Sequence, residues 1–297
     1  MDRPVFQSMT TSAPLERVSG SLMVRVSKAR EATPTPGSDV DVQFRYPYPV
    51  AVAYRATRTS GVASECVLWS FRAIENLFRF LALTNLADML ARPGLAVDLP
   101  PLVARLERPT MGAWLDVLKE STRKLRGAGS PFLGELAGAL LKSNGKPTPL
   151  LVDMESAIEN RNHLTHTDVV LTEAQARPEL ARIRPLVEAV FQGLSFLCDY
   201  RLGHVAAGKR YGLGFQYSFY PLAGLEELGE PLRLTGGALP PEGLPIVIGP
   251  AGHALWVWPF FRWSLCSNDQ TEHLLLLASA DQSAQPSRYT HPRLRHT

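Results

Sequence analysis

The run Arg161-Asn162-His163-Leu164-Thr165-His166 places a guanidinium, a carboxamide and two imidazoles side by side in the chain. Arginine keeps its charge at every physiological pH and presents a planar fork to phosphate oxygens, while histidine titrates near neutrality. Such groups can cleave RNA without a metal. A ribose 2′-hydroxyl attacks the adjacent phosphorus when a base removes its proton and a cation steadies the charge growing on the phosphate oxygens. His166 is the candidate general acid or base, Arg161 the candidate phosphate clamp, and Asn162 a group that orients either one or contacts phosphate. His163 is placed to assist. The same residues also suit a solvated helix end, where cations are favoured and where Asp153, Glu155 and Glu159 offer ordinary ion pairs.

The elements around this run read as helices. Thr148 to Leu164 carries it. On an ideal helix Asn162 and His166 share a face, whereas Arg161 and His166 are about 140° apart, so both reach one phosphate only if the helix loosens or a second copy completes the site. Apolar residues recur at helical spacing from Val62 to Ala91, ended by Pro93-Gly94, and from Met111 to Arg126. A shorter helix is expected over Phe132 to Lys142. A last one should run from Thr172, a suitable N-cap, to about Leu202, with Pro178 and Pro185 delaying or kinking its early turns. Residues 46–204 thus read as an all-helical bundle of four or five helices. Beyond it, Tyr211–Tyr220, Leu244–Gly249, Ala254–Leu265 and Leu274–Ser279 read as short strands, with hairpin turns at Gly249–Gly252 and Ser267–Asp269, so residues 208–297 form a small β appendage with a basic tail. Residues 1–42 read as a mobile segment, with a strand conceivable at Leu22–Val26 and a linker at Ala32–Asp39. The fold class expected is mainly α, a helical bundle followed by a β-rich C-terminal domain.

Composition sets limits on function. The 297 residues are 45% hydrophobic and 20% charged with a net charge of +3, so RNA affinity must come from local patches and not from a general positive charge. Lys119, Arg123, Lys124 and Arg126 on one helix are a candidate phosphate-tracking patch; a solvated helix face has the same composition. The tail, with Arg288, His291, Arg293, Arg295 and His296, reads as a basic arm or as a soluble end. Cys66, Cys198 and Cys266 show no paired spacing, which favours a reducing, cytoplasmic setting without disulfides or a zinc site; no cofactor is expected. No stretch reads as a secretory signal or a membrane span. Glu75 and Asn76 interrupt the most apolar helix and must be exposed or paired, and alternation places Trp256, Trp258 and Phe260 on one face.

The Arg-Asn-x-x-x-His string, late in a helical bundle and followed by a long helix, resembles the signature of the HEPN superfamily over roughly residues 46–204. The order of Tyr46-Pro47-Tyr48-Pro49 ahead of Phe71-Arg72-Ala73-Ile74-Glu75 looks like a bacterial subgroup found with defence or signalling modules. The resemblance implies a metal-independent endoribonuclease in a toxin or antiphage setting, with RNA as substrate. It also implies a homodimer whose motif helices line one cleft, an effector or sensor protein as partner, and Glu75 as brace of the motif arginine. Where many active members have glycine after the histidine, this chain has Thr167-Asp168, and a nearby carboxylate biases His166 toward its charged form. A catalytically silent adaptor of the same fold, or a nucleotide sensor built on the β region, are the alternatives.

Overall fold

A helix apolar on every side must be surrounded, and the rest of the helical region is arranged to do this. The computed structural model describes residues 22–26, 38–165, 171–224, 231–237, 243–265, 272–280 and 288–292. Through their middle runs helix α3 (Ala63–Leu90), in which only Glu75 and Arg79 escape full burial between Ala73 and Met89. Against it pack α2 (Tyr48–Thr59), α6 (Met111–Ala128) and α9 (Glu173–Gln192). The shell is completed by α1 (Asp39–Phe44), α4 (Pro93–Ala96), α5 (Leu99–Ala104), α7 (Leu136–Leu140) and α8 (Pro149–Thr165).

The expected helices at 62–91, 111–126 and 148–164 are present to within two residues. Thr172 caps α9 as expected, and the reciprocal partner in its capping box is Gln175. Three expectations are corrected. The helix proposed for Phe132–Lys142 is confined to Leu136–Leu140, because Leu141 turns extended and bridges to Pro147. The last helix does not reach Leu202. It gives way to a 3-10 turn at Ser195–Asp199, and strand β2 (Arg201–Tyr211) starts directly after Tyr200. An unforeseen helix, α2, follows Pro47, with Pro49 in its first turn where a missing N–H costs nothing.

The C-terminal region is antiparallel throughout. Strands β1 (Leu22–Val26), β2, β3 (Gly214–Pro221), β4 (Leu232–Gly236), β5 (Pro245–Ile248) and β6 (His253–Trp256) close into a barrel in the order β1-β4-β3-β2-β5-β6. The segment Leu22–Val26, in the stretch expected to be mobile, pairs with both β4 and β6 and closes the barrel. Strands β7 (Phe261–Leu265), β8 (Glu272–Ser279) and β9 (Arg288–Thr290) form a second sheet. The turn at Gly249–Gly252 joins β5 to β6 as expected, whereas Ser267–Asp269 lies outside the described residues. Strand β6 ends at Trp256 and residues 258–260 form a turn before β7, so the alternation expected to hold Trp256, Trp258 and Phe260 on one face does not extend past Trp256. The tail is not a free arm as far as Pro292. Arg288–Thr290 pairs with β8, and His291 is buried against His273 and Tyr48. Residues Arg293, Arg295 and His296 lie outside the described residues.

Two apolar cores result, and β5 divides them. Ile246 and Ile248 face the barrel interior with Val205, Tyr217, Phe219, Leu234 and Ala254, while Val247 joins the core shared by the helices and the second sheet. The uniform Pro-Ile-Val-Ile run is what a strand buried on both faces requires. At Gly203 on β2 a Cβ atom would lie 2.2 Å from the Tyr220 carbonyl oxygen, so no side chain fits where these strands cross.

The barrel interior holds one polar atom that the fold leaves unsatisfied. The Tyr217 hydroxyl is buried with no hydrogen-bond partner among the described residues, and burial pushes its pKa from 10.0 up to about 12. Between those values the unfolded chain has released the proton and the folded chain has kept it, so this group makes stability fall as pH rises through that window. Tyr217→Phe is expected to leave stability at pH 7 unchanged or to raise it by roughly 1–3 kcal/mol. It should also flatten the alkaline decline. Urea unfolding of both proteins from pH 7 to 11.5 reads both effects, and a clear loss of stability at pH 7 would show that the hydroxyl has a partner.

Candidate active site at the end of α8

Helix α8 is held by one apolar stripe. Leu151, Met154 and Ala157 are buried against the helical core, and the opposite side, from Val152 to Glu159 and on to Asn162 and His163, faces solvent. The motif therefore occupies the last turns at a surface end of the helix. Arg161 is half-buried, Asn162 and His163 are exposed, and Leu164 packs partly on the core. The C-terminal pole of a helix carries partial negative charge, which favours cationic Arg161 there. His166, the candidate acid or base, lies outside the described residues, one position past Thr165.

Neighbouring elements fix this end. Asn160 donates to the Ser156 carbonyl at 2.8 Å, and its own oxygen accepts from Arg182 on α9. At the start of α9, Glu173 accepts the Ala63 N–H at 2.9 Å, so the same end of α9 also caps α3. The motif thus sits where α8, α9 and the N-terminus of α3 converge. Of the acids that could have neutralised the motif within its own helix, Glu155 is taken by Lys119 at 2.8 Å.

The supporting residues are placed differently from one another. Glu75, expected as a brace for the motif arginine, accepts from Arg79 one turn along α3 at 3.1 Å. Arg79 also donates to Thr290 Oγ1 at 2.9 Å and lies over the Trp114 ring at 5.4 Å. Burial pulls its pKa down while Glu75 holds it up, so this pair is a packed ion pair of the interior. The α6 cations are largely committed within the chain. Lys119 pairs with Glu155 and Asp116, Lys124 pairs with Asp98 at 3.2 Å, and Arg126 donates to the carbonyls of Lys142 and Ser143. Arg123 is exposed and makes no ion pair among the described residues. The patch expected to track phosphate is thus mostly a set of ties from α6 to its neighbours.

A second polar cluster was not visible in the sequence. The Arg58 Nη2 atom donates to Asp39 at 2.7 Å, to Glu188 at 2.6 Å and to the Tyr54 hydroxyl at 3.1 Å, and Tyr54 in turn donates to Asp39. Tyr54, Arg58 and Glu188, with Thr57, Ser70 and Arg184, border a small cleft between α2, α3 and α9. The Glu188 partner lies 130 positions away, so no local spacing announces it. With two carboxylates on one guanidinium, the cluster clasps α1, α2 and α9 together. Cys66 is buried, and burial pushes the Cys198 thiol up to about 12, which leaves it protonated and unreactive at neutral pH.

Among the described residues no group of three or more His, Cys, Asp or Glu side chains is placed to hold a metal ion, and no helix is long and apolar enough to cross a membrane. Comparison of the chain with family models, with curated proteins and with solved structures finds no match.

If the Arg58 cluster is a clasp, Arg58→Met should lower stability by about 1 kcal/mol, the range for a partly exposed ion pair. RNA cleavage by the folded variant should be unchanged. A variant that melts like the wild type but binds or cleaves RNA less well would move this cluster into the functional site.

Proposed function

We propose that the chain is a ribonuclease that works without a metal through Arg161, Asn162 and His166. The observation that carries this reading is the placement of Arg161, Asn162 and His163 in the solvent-facing last turns of a helix anchored to α9. A guanidinium at an accessible helix end, five residues from His166 in sequence, is suited to a phosphodiester, with a loosened helix end or a second copy of the chain bringing both groups to one phosphate.

In this reading His166 takes the proton of a ribose 2′-hydroxyl, the 2′-oxygen bonds to the adjacent phosphorus, and the P–O5′ bond breaks. The leaving 5′-oxygen gains a proton from an acid, from His163 or from water. The products are a 2′,3′-cyclic phosphate and a 5′-hydroxyl. Arg161 steadies the phosphate oxygens through charge-assisted bonds, and Asn162 orients the imidazole or a phosphate oxygen.

The test is cleavage of a mixed RNA pool with chelator present. His166→Ala is expected to lower the rate by about 10²–10⁴-fold, the range for loss of a general acid or base. Arg161→Ala should lower it comparably, with melting temperatures unchanged in both. End-group mapping should find cyclic phosphates. No cleavage by the folded wild type, or cleavage that survives both substitutions, would overturn the reading and leave the adaptor alternative.

A further inference from the structure

The hairpin that joins β2 to β3 displays side chains for which the fold has no use. Tyr211 pairs with Gly214, and the two residues between them form the turn, with Gly212 at φ 58° as its first central residue. A two-residue turn of this kind follows the twist of its strands. It holds Tyr211 62% exposed and Leu213 fully exposed at 105%. Both large apolar groups are left to solvent among the described residues.

The sheet below the turn continues the pattern. Directly paired residues on neighbouring strands point to the same side. Lys209, Gln216 and Thr235 form one such row across β2, β3 and β4, and Arg25 on β1 occupies its next register position. Ser218 and Arg233 are paired in a row further along. Lys209, Arg210 and Arg233 are exposed and make no ion pair among the described residues, in contrast to the cations of α6. From residue 201 onward the single carboxylate among the described residues is Glu272, on β8 of the other sheet. Glu226, Glu227, Glu230, Glu242, Asp269 and Asp281 lie outside the described residues.

We propose that the outer face of β2–β3–β4 and its Tyr211–Leu213 tip bind single-stranded RNA. Lys209 and Arg233 contact phosphates, Gln216, Ser218 and Thr235 hydrogen-bond to sugars or base edges, and Tyr211 stacks on an unpaired base. A basic track beside an exposed aromatic is the arrangement that holds single strands without reading a fixed sequence. The choice of RNA over DNA rests on the ribonuclease reading; the surface itself does not. A tip made to enter a membrane would have no use for the hydrogen-bonding row, which extends along the sheet away from the tip.

The test uses the full chain and a fluorescent 2′-O-methyl RNA strand, which cannot be cleaved, so binding is read apart from catalysis. Tyr211→Ala is expected to weaken binding about fivefold or more, the loss of one base–aromatic stack, and Tyr211→Phe to retain it. Lys209→Ala with Arg233→Ala should weaken binding and reduce the slope of log affinity against log salt by about 1.4, for two phosphate contacts on a single strand. A duplex of the same sequence should bind less well. All these positions are exposed, so melting temperatures should not move. Undiminished binding by the variants, equal affinity for duplex, or attachment to phosphatidylserine vesicles that depends on Leu213 with no RNA binding would each overturn the proposal. If the wild type binds the strand through these residues yet never cleaves ordinary RNA, the ribonuclease reading fails and the surface stands. If it cleaves RNA and the variants bind undiminished, the surface fails alone.

Discussion

The burial of α3 between Ala73 and Met89 is the constraint from which most of this architecture follows. A buried polar group without a partner costs more than a typical hydrogen bond returns, so the polar residues on such a helix have to be matched, by the helix's own backbone or from another element. Asn76 donates to the carbonyls of Pro49 and Pro292, Asn85 donates to Ser121 and Thr122 on α6, and Asp88 accepts from Arg92 and from the Phe132 N–H. Each match fixes a different part of the chain: the start of α2, the face of α6, the entry to α7, and the far C-terminal strand. The polar residues of α3 decide which surfaces close on it, while its apolar residues supply the driving force for closure.

The same requirement explains why the β region is attached where it is. Asn76 and Arg79 reach Pro292 and Thr290, so β9 is drawn onto α3 and the second sheet follows through β8. The barrel joins through β5 and β6, whose alternate residues Val247 and Leu255 enter the helical core while Ile246, Ile248 and Ala254 fill the barrel. One short pair of strands thus belongs to two cores, and its sequence shows it in being apolar at nearly every position. The opposite strands, β2 to β4, keep a solvent face at the end away from this junction, and that is where polar and cationic side chains collect.

How much of this the sequence announces depends on the range of the interaction involved. Helix α3 was legible because its period is long and uninterrupted, and α6 and α8 because Gly, Pro and Thr mark their ends. The strand Leu22–Val26 was legible as a strand. Its place between β4 and β6 was not, since pairing across so many residues leaves no local trace. Tyr200–Leu202 misled because an apolar run after a helix continues its period equally well as helix or strand, and only pairing with Ile248 and Val247 decides. The motif at Arg161–His163 was legible as a surface helix end. The commitment of Glu75 to Arg79 was half legible, because the two are four residues apart on one helix, a spacing at which opposite charges meet by default.

The cations divide by what they are bonded to, and that division bears on function more than their number does. Lys119, Lys124 and Arg126 cluster in sequence and looked like a phosphate track, yet each closes on a carboxylate or a carbonyl of a neighbouring element. To bind phosphate they would have to break a contact the fold has already formed, and an exposed pair returns little for that exchange. Lys209 and Arg233 lie far apart in sequence and are brought onto one face only by strand register. They make no ion pair among the described residues, so a phosphate contact would not compete with one, and each such contact would release a condensed counterion. Local charge density in a sequence therefore overstates the first group and hides the second, and only the pairing of β2 with β3 and of β3 with β4 reverses their order.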